Sequence, residues 1–244
     1  MNQNQTIEKM KSMRLRGMAE AHYSTLQAGS SASYTTDQYL NLLVDREWED
    51  RQNRKITNLV KTAAFRTAAD VRNVDFTVAR GLDKNAFDRL AGLDFLAKNE
   101  NIILTGATGT GKSFLAQAIG HQACFCLHKT RYYTMTKLAD EINLAKLQGT
   151  YHKLLKGIKN TDLLIIDDFG LTPLDANARN AIMDIAEHKY DRSSIIIAAQ
   201  VPVESWHQLF GEATIADAIL DRIVHAAHRI KLTGQSLRKN RKII

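Results

Sequence analysis

The stretch Glu100-Asn-Ile-Ile-Leu-Thr-Gly-Ala-Thr-Gly-Thr-Gly-Lys-Ser113 decides the fold. An apolar segment from Ile102 to Leu104 runs into the pattern G-x-x-x-x-G-K-S, and an amphipathic stretch from Phe114 to about Leu127 follows. This order predicts a strand, a phosphate-binding loop and a helix, which is the structural context that gives the pattern its meaning. A glycine-rich turn that binds nothing would explain the glycines, but not the Lys-Ser pair at the start of the helix.

The loop residues are expected to bind the phosphates of a nucleotide. Three glycines permit positive φ, so that backbone N–H groups can turn inward, and the N-terminus of the helix adds its dipole. Lys112 is predicted to reach the β- and γ-phosphates, and Ser113 to ligate Mg²⁺. The predicted nucleotide-binding residues are Gly106, Ala107, Thr108, Gly109, Thr110, Gly111, Lys112, Ser113 and Phe114.

A pair of carboxylates follows a second apolar segment. Leu163-Leu-Ile-Ile-Asp-Asp168 predicts a buried strand with both acids at its carboxyl end, where open α/β sheets bind their ligands. Asp167 is predicted to hold Mg²⁺, directly or through Ser113 and water, and Asp168 to polarise the attacking water. Alternatively, the two acids only cap the turn before Gly170.

Two more polar residues are candidates for catalysis. Gln200 ends the next predicted strand, where its amide can reach the γ-phosphate or the attacking water, unless it is only an exposed loop residue. Arg222 precedes the last predicted strand and is a candidate for the cation that a neighbouring subunit commonly supplies to the γ-phosphate. It can instead pair with Asp217 or Asp221. Arg192 is a second and weaker candidate for such a cation, and Arg238 is a candidate for a contact with nucleotide or nucleic acid.

The chain alternates strands and helices from residue 100 onward. Strands are predicted at about 101–105, 131–135, 162–167, 194–199 and 228–232. Helices are predicted at about 112–127, 136–148, 152–158, 175–191 and, in pieces, 203–225. This alternation predicts an α/β fold, a parallel sheet with helices on both faces. The strand at 194–199 is apolar throughout, as expected of a central strand.

The first 99 residues contain no proline and predict an all-α region. Helices are predicted at about 3–26, 36–65 and 84–96. Thr35 or Thr36 is expected to cap the second helix and Asp83 the third. We therefore divide the chain into a small helical N-terminal domain, residues 1–75, and an ATPase domain, residues 76–244.

Two charged regions suggest a polyanionic partner. The second helix combines Trp48 with the basic residues Arg46, Arg51, Arg54, Lys55, Lys61 and Arg66. This pattern is compatible with a nucleic-acid face, but composition favours a solvated helix with pairs such as Glu47–Arg51 and Asp50–Arg54. The net charge of +7 is concentrated at the end of the chain, because residues 222–244 carry seven Lys or Arg and no Asp or Glu. That tail can equally be a solvated one.

Composition excludes several classes of protein. An apolar content of 44% and a charged content of 24% are ordinary for a soluble globular chain. No apolar run approaches the roughly 18 residues that a membrane span needs. The two cysteines, Cys124 and Cys126, lie two apart on one predicted helix and cannot bridge each other, so we expect a reducing, cytoplasmic setting and no membrane partner.

Together these residues make the chain resemble the IstB-like ATP-binding proteins, the helper ATPases of insertion-sequence transposition, which are related to the DnaC and DnaI helicase loaders. The resemblance spans essentially the whole chain. The segment Ala216-Asp-Ala-Ile-Leu-Asp-Arg222 and the N-terminal pattern point most narrowly to the transposition helpers. The stretches that carry the resemblance are residues 13–21, 43–47, 80–84, 106–113, 163–174, 200–202, 206–207, 215–232 and 234–239.

The resemblance implies an AAA+ ATPase that forms a homo-oligomer with ATP, binds duplex DNA with little sequence preference and assists a transposase. Carried over by position, Lys112 and Ser113 bind ATP and Mg²⁺, and Asp167 is the metal acid. Gln200 is the polar sensor, and Arg222 is the finger that acts across a subunit boundary. The N-terminal helical region would contact DNA and the partner.

Two departures from the AAA+ pattern affect these expectations. Asp168 stands where many members have the Glu that is one methylene longer, so hydrolysis is expected to be slow or to use a bridging water. Only about a dozen residues follow the last predicted strand, too few for a C-terminal helical lid, which weakens any nucleotide contact for Arg238. The alternative functions are a helicase loader that prefers single-stranded DNA and a small-molecule kinase with the same phosphate loop.

Overall fold

The computed structural model describes residues 3–211, 213–225 and 227–237. The chain divides into two compact units, Met1–Asn58 and Leu59–Ile244. This division falls earlier than the predicted domain boundary at 75/76. It lies within one long helix, Thr36–Ala63, whose last turn belongs to the second unit.

The described helices and strands follow one another in nearly the predicted order. The helices are α1 (Gln3–Ser12), α2 (Arg16–Gln27), α3 (Thr36–Ala63), α4 (Lys84–Ala91), α5 (Asp94–Ala97), α6 (Lys112–Phe125), α7 (Met135–Leu147), α8 (Tyr151–Lys159), α9 (Ala176–Lys189), α10 (His207–Phe210) and α11 (Ala213–Val224). The strands are β1 (Asn101–Gly106), β2 (Thr130–Thr134), β3 (Leu163–Phe169), β4 (Ser194–Ala199) and β5 (Ala227–Leu232). Short 3₁₀ turns lie at Ser30–Ser33, Val71–Asn73 and Val203–Ser205.

The prediction of a single helix over residues 3–26 is wrong, because the chain turns between α1 and α2. Arg14 has a φ of 62°. The Leu15 N–H donates to the Met10 carbonyl at 2.8 Å, and the Arg14 N–H donates to the Lys11 carbonyl at 2.9 Å. These bonds form a Schellman motif, in which the left-handed residue is usually glycine. An arginine occupies that position here, so the sequence carried no stop signal.

A buried carboxylate joins α2 to α3 in the first unit. The Glu47 side chain accepts hydrogen bonds from the backbone N–H groups of Gly17 at 2.9 Å and Met18 at 3.4 Å, and from Arg51 at 2.7 Å. The N-terminus of α2 thus receives a negative charge, which its dipole favours. The helices approach so closely that a Cβ on Gly17 would lie 2.4 Å from the Arg46 carbonyl oxygen.

The charged helix α3 forms the ion pairs that the sequence suggested. Arg51 lies 2.7 Å from Glu47, and Arg54 lies 2.7 Å from Asp50. A capping box begins the helix, as the Gln38 N–H donates to the Thr35 hydroxyl at 3.3 Å and the Gln38 side chain accepts from the Thr35 N–H at 2.9 Å. Of the two predicted caps, Thr35 is therefore the one used.

The second unit contains a five-stranded parallel sheet in the order β2-β3-β4-β1-β5. All five strands agree with the predicted ones to within two residues. The strand β4 is completely buried and lies between β3 and β1, with Ile197 opposite Ile166 and Ile103. The predicted central position of this strand is confirmed.

Helices cover both faces of the sheet, as predicted. One face packs on α7, α8, α9 and α11, and the other on α4, α5 and α6. The predicted helix at 84–96 is divided into α4 and α5, because Leu93 has a φ of 68° and interrupts it. Asp83 caps α4 as expected, accepting from the Ala86 N–H at 2.6 Å.

None of the helices in the described part of the chain is long and apolar enough to cross a membrane. After β5, residues 233–237 form no α-helix, in agreement with the predicted lack of a helical lid.

Candidate nucleotide-binding site

The loop between β1 and α6 has the backbone that the three glycines predicted. The φ angles are 146° at Gly106, 82° at Gly109 and 99° at Gly111, all in the region that other residues rarely adopt. At Gly106 a side chain is also excluded by space, because a Cβ would lie 2.2 Å from the Leu232 carbonyl oxygen. The neighbouring strand β5 therefore requires glycine at the start of the loop.

The lysine of the motif lies inside this loop. Lys112 is the first residue of α6 and is 7% exposed. Its ammonium group donates to the carbonyl oxygens of Gly106 at 2.8 Å and Ala107 at 2.9 Å. Thr108 at the tip of the loop is exposed and Phe114 on α6 is half-buried. The loop is thus a cationic pocket at the N-terminus of a helix, where an anion is stabilised by both charge and dipole.

The predicted Mg²⁺ ligands are brought together across 54 residues of sequence. The Ser113 hydroxyl donates to the Asp167 carboxylate at 3.0 Å. The same carboxylate is buried and accepts from the backbone N–H of Asp168 at 2.9 Å. Its other oxygen accepts from the Tyr132 hydroxyl at 2.8 Å. Three donors on two neighbouring strands and one helix therefore fix Asp167 at the carboxyl edge of the sheet.

Tyr132 was not predicted as a site residue. It lies on β2, beside β3, with its hydroxyl directed at Asp167. Burial, and beyond it the negative charge of Asp167, raises the pKa of Tyr132, so its hydroxyl stays protonated and remains a donor. In sequence it is one of two adjacent tyrosines in a strand that otherwise contains threonine and arginine, and nothing in the spacing marks it.

Asp168 occupies an irregular position at the end of β3. Its φ is 57°, and the pairing of β3 with β4 shifts between Ile166 and Phe169. The side chain is 35% exposed and lies at the same edge as the phosphate loop, as predicted. At this irregularity Asp168 is partly accessible, whereas Asp167 is buried.

Gln200 lies where the sequence placed it, directly beyond β4. The last residue of that strand, Ala199, pairs with Thr105 on one side and with Phe169 on the other. Gln200 therefore lies between the strand that leads into the phosphate loop and the strand that carries the acid pair. It is partly buried. Parallel strands end at one edge, so the amide lies at the edge where ligands bind in such sheets.

Arg222 lies at the opposite edge of the sheet. The Asn101 side chain, at the start of β1, donates to the carbonyl oxygens of Ile223 at 3.0 Å and Arg222 at 3.4 Å. Arg222 itself donates to the Ala218 carbonyl at 2.8 Å. The phosphate loop begins at the other end of β1, so Arg222 is not part of the site of its own chain.

The alternative and weaker candidates have different positions. Asp217 lies 3.3 Å from a ring nitrogen of His207, and Asp221 lies 3.2 Å from a ring nitrogen of His225. Arg192 precedes β4 and is exposed, on the same side of the sheet as Arg222. Arg238 and the rest of the basic tail, residues 238–244, lie outside the described residues.

A second residue that sequence reasoning missed supports the loop from behind. Arg80 is 3% exposed and donates to the carbonyl oxygens of Thr110 at 3.2 Å and Asp75 at 2.9 Å. Burial lowers the pKa of its guanidinium. The chain after β5 completes this support, because Leu237 donates its N–H to the Gly109 carbonyl at 2.9 Å. The only sequence signal for Arg80 was its position at the start of residues 80–84, one of the stretches that carry the resemblance.

The fold and the site define a P-loop nucleotide-binding protein with a parallel α/β sheet. The family model described as IstB-like ATP binding protein matches residues 8–243. The chain therefore belongs to the IstB-like ATP-binding protein family. It is 40% identical, over 237 residues, to the putative insertion sequence ATP-binding protein y4pL of Sinorhizobium fredii, and the match covers 97% of each chain.

Solved structures support the assignment of the fold. The crystal structure of DnaI matches with a TM-score of 0.55 and 19% identity, covering 72% of this chain and 94% of that one. The AMPPCP-bound DnaA from Aquifex aeolicus matches with a TM-score of 0.58 and 22% identity, covering 72% of this chain and 53% of that one. At this level of identity the similarity concerns the fold.

Proposed function

We propose that this protein is an ATP-dependent, DNA-binding helper ATPase of transposition. It assembles with ATP on duplex target DNA and assists the transposase of the same insertion sequence. The observation that carries the nucleotide chemistry is the contact of 3.0 Å between Ser113 and Asp167 beside a phosphate loop with its lysine inside. Membership of a family of insertion-sequence ATP-binding proteins supports the connection to transposition.

The donor set of the site fits Mg²⁺ together with a nucleotide. Mg²⁺ is usually bound through one or two protein oxygens plus substrate phosphates and water. Ser113 and Asp167 provide such a pair, and the described residues contain no cluster of three His, Cys, Asp or Glu that would suggest another metal. When bound, the ion would neutralise charge on the phosphates. Lys112 and the loop amides would bind the remaining phosphate oxygens.

Asp168 and Gln200 are proposed to act on the attacking water. Asp168 can accept its proton, and the Gln200 amide can orient it or contact the γ-phosphate. The carboxylate of Asp168 is one methylene shorter than the glutamate common at this position, so it reaches less far. We therefore propose slow hydrolysis that assembly and DNA stimulate.

The position of Arg222 supports a homo-oligomer as the active form. This arginine lies at the edge of the sheet opposite to the phosphate loop of its own chain. A cation at the γ-phosphate stabilises the charge of the transition state and can be supplied in trans. Arg222 is proposed to do this for a neighbouring subunit, so that ATP bound between two chains joins them.

DNA is proposed to bind mainly through its phosphates, with the helical N-terminal region contacting DNA and the transposase. The helix α3 presents exposed Arg46, Arg51 and Lys55, and Trp48 on it is 63% exposed. Each phosphate neutralised lowers log K by roughly 0.9 per unit of log salt concentration, so binding should weaken steeply with salt. Target DNA and ATP both occur in the bacterial cytoplasm, which is the compartment we propose.

Sedimentation of the purified protein tests the proposal. Duplex DNA and ATP-Mg²⁺ are added separately and together, and a large complex is expected only when both are present. Lys112→Ala should abolish ATP binding and assembly together. The matched control is Lys137→Ala, because this exposed lysine on α7 lies 3.9 Å from Glu141 and outside the loop.

A small species under all conditions would refute assembly on DNA. An ATP-dependent oligomer that persists in Lys112→Ala would refute the role of the loop. Complexes that form with single-stranded DNA and a ring helicase, but not with duplex DNA, would support the helicase-loader alternative instead.

A further inference from the structure

A basic side chain lies against the acid that is proposed to polarise water. The Arg66 guanidinium is 3.7 Å from the Asp168 carboxylate, and the two side chains are 65% and 35% exposed. The pair spans more than a hundred residues of sequence and lies at the edge of the sheet that carries the phosphate loop. A cation at this point changes the direction of the carboxylate that hydrolysis needs.

The backbone that carries Arg66 is fixed to the helix of the phosphate loop. The buried Gln117 side chain on α6 accepts from the N–H groups of Arg66 at 2.8 Å and Thr67 at 3.0 Å, and it donates to the Ser113 carbonyl at 3.1 Å. One amide thus joins the segment 65–67 to the residue predicted to ligate Mg²⁺. The position of the guanidinium is therefore set relative to the loop.

Aromatic packing holds the same segment from the other side. Phe65 stacks on His121 with ring centroids 4.1 Å apart, and the His121 ring nitrogen lies 3.2 Å from the Thr67 carbonyl oxygen. Gly120 makes room for Phe65, because a Cβ there would lie 2.7 Å from the Phe65 ring. The segment is therefore an ordered part of the second unit, although Arg66 itself extends into solvent.

From this geometry we infer that Arg66 is a positioning residue that restrains ATP hydrolysis by holding the Asp168 carboxylate. In this pairing the carboxylate is directed toward Arg66 instead of toward a water at the γ-phosphate. The restraint reduces turnover without changing the groups that bind nucleotide. This inference rests on the proposed hydrolysis at this site.

The segment also follows α3, the helix proposed to contact DNA. Arg66 comes three residues after the last residue of α3, Ala63, and the end of that helix is held by Arg131, which donates to the Thr62 carbonyl at 3.3 Å. A displacement of this last helical turn is therefore transmitted to Arg66 over a very short length of chain. Release of Asp168 by such a displacement would raise hydrolysis.

The test compares steady-state ATP turnover of Arg66→Gln and the wild-type chain without DNA. Exposed ion pairs contribute little, so kcat is expected to rise about two- to fivefold with an unchanged KM for ATP. Arg66→Lys, which keeps the charge but loses the planar fork, should give a kcat between the two. Arg72→Gln is the matched control, because Arg72 pairs with Asp70 on the 3₁₀ turn before α4, and it should leave kcat unchanged.

An unchanged or lower kcat in Arg66→Gln would overturn the inference, provided that its thermal unfolding midpoint matches the wild type. An equal rise in kcat in Arg66→Gln and Arg72→Gln would overturn the inference as well, since such a rise would not depend on the contact with Asp168. The Lys112→Ala variant separates this failure from that of the proposed function. Wild-type turnover that survives Lys112→Ala refutes hydrolysis at this site, whereas Lys112-dependent turnover that Arg66→Gln leaves unchanged refutes only the restraint.

Discussion

The hydroxyl of Tyr132 is the most informative single atom to remove, because it tests the geometry around Asp167 directly. Tyr132→Phe deletes the donor that lies 2.8 Å from one carboxylate oxygen and keeps the buried ring. The Ser113 hydroxyl and the Asp168 N–H both donate to the other oxygen. The variant therefore removes a hydrogen bond to a charged, buried group without opening a large cavity.

The expected loss of stability follows from the charge of the acceptor. A hydrogen bond to a charged group contributes about 1.5–3 kcal/mol, more than one between neutral groups. For a chain of this size, each kcal/mol shifts the unfolding midpoint by roughly 2–4 °C. We therefore expect Tyr132→Phe to lower the midpoint by roughly 3–12 °C.

The measurement is thermal and denaturant unfolding of the variant beside Tyr133→Phe. Tyr133 is the next residue on β2, is equally buried and packs on the opposite face of the sheet. The matched change there removes the same atom away from Asp167 and should shift the midpoint less. Equal shifts in the two variants would refute the argument that the bond to Asp167 carries the extra stability.

Three further results are expected. Arg222→Ala should retain ATP binding, measured by nucleotide titration, and lose turnover, whereas surviving turnover would exclude Arg222 as the finger. Burial lowers the pKa of Lys189 to about 8 from 10.5. Between these two pH values the unfolded chain binds more protons than the folded chain. The free energy of unfolding of the wild type, measured by denaturant titration relative to that of Lys189→Met, should therefore rise with pH over this range by at most about 3 kcal/mol. Gly17→Ala should destabilise the first unit by about 1–3 kcal/mol, because the added Cβ would clash with the backbone of α3. Limited proteolysis would detect this loss. Gly157→Ala is the control: it lies in open space on α8 and should stabilise the protein by about 0.5–1 kcal/mol.

The strands and most helices could be predicted because their apolar periodicity is local and strong. The breaks at Arg14 and Leu93 could not, because each of these residues adopts a left-handed conformation that a sequence reader expects of glycine. Both breaks have local backbone hydrogen bonds, such as that from Leu15 to Met10, which the residue types do not signal. The division of the chain within α3 was missed for a related reason, since a continuous helical pattern gives no sign of where its tertiary contacts change.

The site was predictable where its residues are contiguous or follow strands of a parallel sheet. The loop glycines have the predicted backbone, and Ser113, Asp167 and Gln200 lie at one edge of the sheet. Tyr132 and Arg80 were missed, because each acts through a partner about 30 residues away and resembles an ordinary strand or surface residue in the sequence. The catalytic and metal-binding roles themselves stay predictions.

The strand order has a consequence for how the molecule folds. Both neighbours of β1 come from much later in the chain, since Ile103 pairs with Ile197 on one side and Arg229 on the other. Such distant pairings form slowly, because a long loop must close before the contacts stabilise it. A nascent chain therefore exposes the apolar strand that leads into the phosphate loop until β4 has been synthesised. We expect nucleotide binding to appear late in folding, so that capture on an ATP resin would separate completed chains from arrested ones.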